Sequence, residues 1–145
     1  MTSSFISPNV IKVDGQWQIE GHPRESLQIL STFDPPTLPN HTIIVASVTL
    51  PPNSATPPHR HGGAAVVAVP ISGKTLNQMN GAEPKIYGPG DIMYEAPGCH
   101  HQRSEFVEGG EGGDATFIAV LVVDKETVDY GRDIGGFLCW IRKLR

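Results

Sequence analysis

The stretch Pro57-Pro58-His59-Arg60-His61, answered further along by Glu95-Ala96-Pro97-Gly98-Cys99-His100-His101, decides most of what this chain means. Four of its 6 histidines lie in these two segments. Successive side chains of a strand point to opposite faces, so the H-x-H spacing sets His59 and His61 on one face and Arg60 on the other. Two imidazoles then converge on one point, and a site able to hold a metal is the first expectation.

The segments between and around these clusters read as short strands punctuated by turns. Glycine (16) and proline (13) fall between apolar runs rather than in one block, as in a compact all-β domain. Residues 42–50 (TIIVASVTL) are rich in β-branched side chains and end at Pro51-Pro52-Asn53. Residues 64–71 are nearly continuous apolar and close at Ser72-Gly73. The weakly alternating 74–79 leads to Asn80-Gly81, the strongest turn dipeptide of the chain, and a hairpin into 85–87. Gly88-Pro89-Gly90 turns the chain again before 91–95, and 115–123 (ATFIAVLVV) has the look of a fully buried strand. Many short strands at such spacing imply a sandwich or barrel.

At 145 residues the chain is read as one domain, 1–145, able to bury a core without disulfides. Residues 1–41 are expected as an N-terminal arm with one or two strands on the outside of the barrel, 42–123 as the barrel core, and 124–145 as a tail. Residues 108–113 (EGGEGG) read as a flexible acidic loop, and 137–145 as a short amphipathic C-terminal helix whose basic end suits a helix C-terminus. A net charge of -4 with no basic stripe argues against nucleic acid. No segment approaches the twenty or so apolar residues of a membrane span, and the first residues lack a signal-peptide pattern. With only Cys99 and Cys139, far apart, a reducing cytoplasmic setting is expected.

The two histidine clusters resemble the paired motifs of the cupin superfamily, G-x5-H-x-H-x3or4-E-x6-G and G-x5-P-x-G-x2-H-x3-N. His59, His61 and Gly73 fit the first; Gly90, Gly98 and His101 fit the second. The resemblance is to small single-domain RmlC-like cupins with an E-P-P-G-x-H-H type second motif, several of which serve specialised metabolism. It implies a double-stranded β-helix, the cupin jelly-roll barrel, a metal at its mouth with His101 as third imidazole, and a homodimer. Four positions depart from the pattern. Asn53 replaces a glycine, which asparagine's tolerance of positive φ makes mild. Ala96 replaces the proline and Glu105 the asparagine. Ala65 and Val66 occupy the two places where the glutamate ligand would fall, so the first motif supplies no carboxylate.

Three imidazoles with an open position suit zinc, iron, nickel, copper or manganese at a catalytic centre and, without the glutamate, favour an anionic ligand. Glu95 restores a carboxylate if its strand turns it inward, as ligand or as general base. His100 is a second catalytic candidate; His22 and His41, in the arm, read as structural, and Cys99 as a buried small residue. Val67, Val69, Ile92, Tyr94, Phe117, Ile118 and Leu121 are expected to wall an apolar cavity, with Val67 and Tyr94 facing substrate. Asn77, Gln78 and Arg103 are the candidate polar groups that orient it. Three functions stay open: a metal-dependent enzyme that oxygenates, decarboxylates or isomerises a hydrophobic, oxygenated, polyketide-like small molecule; a metal-independent cyclase or isomerase in which His59, His61, His101 and Glu95 serve as acid and base groups; and a non-catalytic small-ligand-binding module.

Overall fold

The computed structural model describes residues 9–60 and 63–126, and nearly all of that chain is strand and turn. The twelve strands are β1 (Val10–Val13), β2 (Gln16–Ile19), β3 (Ser26–Phe33), β4 (His41–Leu50), β5 (Ala55–Thr56), β6 (His59–Arg60), β7 (Ala65–Ser72), β8 (Lys74–Met79), β9 (Lys85–Tyr87), β10 (Met93–Glu95), β11 (His100–Glu108) and β12 (Ala115–Asp124). β1 and β2 form a separate hairpin whose Asp14-Gly15 turn has both φ values positive, at 49° and 78°, the conformation that tight hairpins demand. The rest makes two facing antiparallel sheets. One has the order β10-β7-β12-β4-β3; the other runs β5-β11-β8-β9, with β6 also paired to β11.

Alternation on β4 shows why these residues make a two-layered fold. Thr42, Ile44, Ala46, Val48 and Leu50 are all buried, while the residues between them are half-buried. On β12 the buried set is Ala115, Ala119, Leu121 and Val123. Ala46, Ala119 and Ala68 lie directly across from one another on β4, β12 and β7, a row of the smallest inward side chains in the middle of the sheet. Larger residues in that row would fill the barrel; alanine leaves space under the second sheet.

Gly73 carries the chain from one sheet to the other. Its φ is 73°, and a Cβ there would meet the Glu108 carbonyl oxygen at 2.5 Å, so both conformation and space call for glycine. The expected strands at 42–50, 64–71, 74–79, 85–87 and 115–123 are all present, and 91–95 contains β10. Residues 108–113 do form the connection between β11 and β12.

The arm differs from expectation. It carries three strands, and β3 belongs to the main sheet as the edge neighbour of β4, because Leu27 and Ile29 pack against the core. The expected C-terminal helix at 137–145 lies outside the described residues, as does His61. Among the described residues no helix is long and apolar enough to cross a membrane.

Candidate active site

Between the sheets lies a cavity of about 70 Å³. Its walls are mostly apolar: Leu27, Val48, Leu50, Val66, Ala68, Met93, Phe117, Ala119 and Leu121. Its polar lining is Glu25, Thr56, His59, Asn77, Glu95, His101 and Ser104. The volume is well below the roughly 300–1,000 Å³ of pockets for drug-sized ligands, so this space takes a few-atom molecule or a reacting end rather than a whole polyketide.

Strand alternation delivers the polar groups. On β10, Met93 and Glu95 turn inward and are 1% and 5% exposed, whereas Tyr94 between them is 59% exposed. Glu95 lies directly across the β7–β10 ladder from Val66. The carboxylate missing from the first histidine cluster is thus replaced on the neighbouring strand, facing the same space. Tyr94 lies opposite Val67 on the outer face. Glu95 and Tyr94 are adjacent in sequence, so only one can face the cavity, and the same holds for Val66 and Val67.

Hydrogen-bonding and ionic contacts among the described residues organise the site. His59 Nδ1 lies 2.8 Å from the Pro57 carbonyl oxygen; since a carbonyl only accepts, Nδ1 carries the proton and Nε2 the lone pair. His101 Nε2 lies 2.9 Å from Asn77 Oδ1 and therefore donates to it. Its Nδ1 is in ion-pair contact with Glu95 Oε1, also at 2.9 Å, with both side chains more than nine-tenths buried. Asn77 is held in turn by its amide group against Met93 Sδ at 2.6 Å. The His59 and His101 rings sit side by side, 4.9 Å between centroids and tilted by 51°.

This arrangement bears on the expected metal. An imidazole nitrogen that donates to an oxygen has no lone pair for a cation, and His101 commits Nε2 to Asn77. Among the described residues no group of three or more His, Cys, Asp or Glu side chains is placed to hold a metal ion. His61, the remaining expected ligand, lies outside the described residues.

Other expected site residues are placed elsewhere. His100 alternates with His101 and lies outside the cavity lining, its backbone N–H bonded to Asn80 Oδ1. Burial, then the positive charges of Arg60 and His101, hold its pKa below the usual imidazole range. Gln78 is buried on the side of β8 opposite Asn77 and donates to the Ala82 carbonyl, bracing the hairpin. Arg103 pairs with Glu105 at 2.6 Å and lines a separate outer groove with His22 and Ser54. The cause is a bulge: β11 slips register against β8 between His101 and Arg103, so Ser104, not Arg103, returns to the cavity face beside His101. Of the wider wall, Phe117 and Leu121 line the cavity, whereas Val69, Ile92 and Ile118 do not. Cys99 is buried, 6% exposed, and burial, then the Glu95 charge, pushes its thiol pKa up.

Glu25 is the site residue that the sequence reading missed. It accepts a hydrogen bond from Thr56 Oγ1 at 2.6 Å and pairs with Arg24 at 2.6 Å. The signal was the pattern Glu25-Ser26-Leu27-Gln28-Ile29, in which a carboxylate shares the inward face of two core residues.

The architecture is the double-stranded β-helix of RmlC-like cupins. The chain is similar to an RmlC-like cupin family protein with that fold from Methanocaldococcus jannaschii, covering 86% of this chain and 97% of that one at TM-score 0.53 and 14% identity. It is similar to KdgF from Halomonas sp., covering 71% and 82% at TM-score 0.55 and 16% identity. A third similar structure is the DMSP lyase DddQ from Ruegeria pomeroyi, at TM-score 0.56 and 20% identity; 72% of this chain is covered and 49% of DddQ, so the chain spans about half that protein's length. No family model matches the sequence, and no curated protein matches it.

Proposed function

We propose that this chain is a small-molecule enzyme of acid–base type, moving protons on an oxygenated substrate held inside the barrel. One observation carries the reading: the nearly water-free contact of Glu95 with His101, completed by Asn77 and set against the lone-pair nitrogen of His59. His101 Nε2 donates to Asn77, and its Nδ1 edge faces the Glu95 carboxylate, so the ring is set as the acid partner of the site. His59 Nε2 is then the base. A proton leaves the carbon beside a substrate carbonyl for His59 Nε2, the carbonyl oxygen takes the Nε2 proton of His101 by displacing Asn77 Oδ1 as its acceptor, and the resulting enol collapses to an isomerised, cyclised or eliminated product. Glu95 and Asn77 are positioning residues; the apolar walls exclude water and strengthen each charge interaction. That cupin-fold neighbours include a DMSP lyase is consistent with proton-transfer chemistry in such a barrel.

The test follows solvent deuterium entering the C–H positions of hydroxyacetone, by NMR, with exhaustively chelated protein. The expected result is exchange above the buffer rate that chelation leaves intact and Glu95→Gln reduces by about a hundredfold or more. Exchange that vanishes on chelation and returns with zinc, iron, nickel, copper or manganese would show instead that Asn77 releases His101 to a metal. No exchange above buffer with any short carbonyl compound would leave a ligand-binding module.

A further inference from the structure

The cavity has a second polar pole that the proton-transfer chemistry does not use. Along β11, His101 and Ser104 both face inward; across the ladder His101 is paired with His59, and Ser104 with Thr56. Thr56 Oγ1 donates to Glu25 Oε2, and Arg24 donates to both carboxylate oxygens, Nη2 to Oε1 and Nε to Oε2. Arg24 is almost wholly buried, its side chain 6% exposed, and is also anchored by its Nη1 to the Trp17 carbonyl, but it is not among the residues lining the cavity. A buried ion pair contributes little to stability against an apolar replacement, so a carboxylate kept on the wall of an apolar cavity calls for another explanation.

Its donors and acceptors supply one. Thr56 has committed its only proton, leaving lone pairs that accept, and the Glu25 carboxylate accepts only. This end of the cavity therefore suits a ligand that donates hydrogen bonds. Glu95 places a second carboxylate on the same cavity. An anionic ligand, which a three-histidine site would attract, meets two carboxylates here.

We propose that Glu25 and Thr56 form a distal subsite that selects a short, neutral, hydroxyl-bearing carbonyl compound and rejects carboxylates. This rests on the proton-transfer reading for what happens at the other pole. The small volume agrees, since about 70 Å³ suits a molecule of a few heavy atoms.

Hydroxyacetone and pyruvate make the test, because they share a skeleton and differ in a hydroxymethyl against a carboxylate. Each is titrated into ¹⁵N-labelled protein. Hydroxyacetone is expected to shift the Thr56 and Ser104 amide signals saturably and to bind about tenfold more tightly than pyruvate or better, the scale of a hydrogen bond to a charged group. Glu25→Gln should bring the two within about twofold. Thr56→Val, which keeps the Arg24–Glu25 pair, should weaken hydroxyacetone about fivefold and leave pyruvate unchanged, and it decides the matter if Glu25→Gln fails to fold. Equal or tighter pyruvate binding, a preference that survives Thr56→Val, or no saturable binding of either compound overturns the subsite. Binding is read without turnover: protein that prefers hydroxyacetone yet exchanges no deuterium sinks the proposed chemistry and keeps the subsite, and the converse result does the reverse.

Discussion

Removing Glu95 should cost the protein more than its size suggests. Its carboxylate and the His101 ring are more than nine-tenths buried and 2.9 Å apart, so solvent screening is slight. Glu95→Ala strands His101 beside Asn77 with no counter-charge, and losing one partner of a buried pair costs about 3–5 kcal/mol. Glu95→Gln keeps an oxygen in place but gives up the charge, which lowers the loss to about 1–2 kcal/mol. Urea unfolding at neutral pH measures both, and the midpoint should fall with an unchanged slope. A double-mutant cycle of Glu95→Gln with His101→Gln isolates the pair, with an expected coupling of about 2 kcal/mol. A coupling below about 0.5 kcal/mol would show that the two side chains ignore each other and that no buried ion pair holds His101.

Further expectations follow from individual positions. Val66→Glu places a second carboxylate directly opposite Glu95, so thermal melts should show a loss without metal and at least partial recovery with added zinc. Tyr94→Ser, on the outer face, should change neither deuterium exchange nor stability by more than about 0.5 kcal/mol; a large loss of exchange would mean that β10 presents its other face inward. Gly73→Ala forces a Cβ against the Glu108 carbonyl and should lower stability by about 1–3 kcal/mol in the same urea assay. Because burial, then the Glu95 charge, raises the Cys99 pKa, iodoacetamide should label it slowly at neutral pH in a Cys139→Ser background. The rate should climb as pH rises past the ordinary thiol range, and fast neutral labelling would contradict its burial.

Much of the barrel was legible in local patterns. Turn residues bound the strands, and alternation on residues 42–50 and 115–123 gives the inward face directly. The site was half legible. His59, His101, Asn77 and Glu95 reach one cavity, whereas Tyr94 and Val67, expected to face substrate, are turned outward because their neighbours Glu95 and Val66 face inward. Arg103 escaped for a different reason: a one-residue bulge leaves no mark in composition, yet it reverses every side chain after it. Glu25 escaped because its place depends on β3 pairing at the edge of the sheet, a long-range contact that no motif announces.

The most direct test of the acid–base centre is long-range ¹H–¹⁵N NMR of the histidine rings at neutral pH, before and after chelation. A proton on His59 Nδ1 with none on Nε2, a proton on His101 Nε2, and no change when metals are stripped are expected. A His101 Nε2 that carries no proton, and whose signal moves when zinc is added, would contradict the acid–base centre.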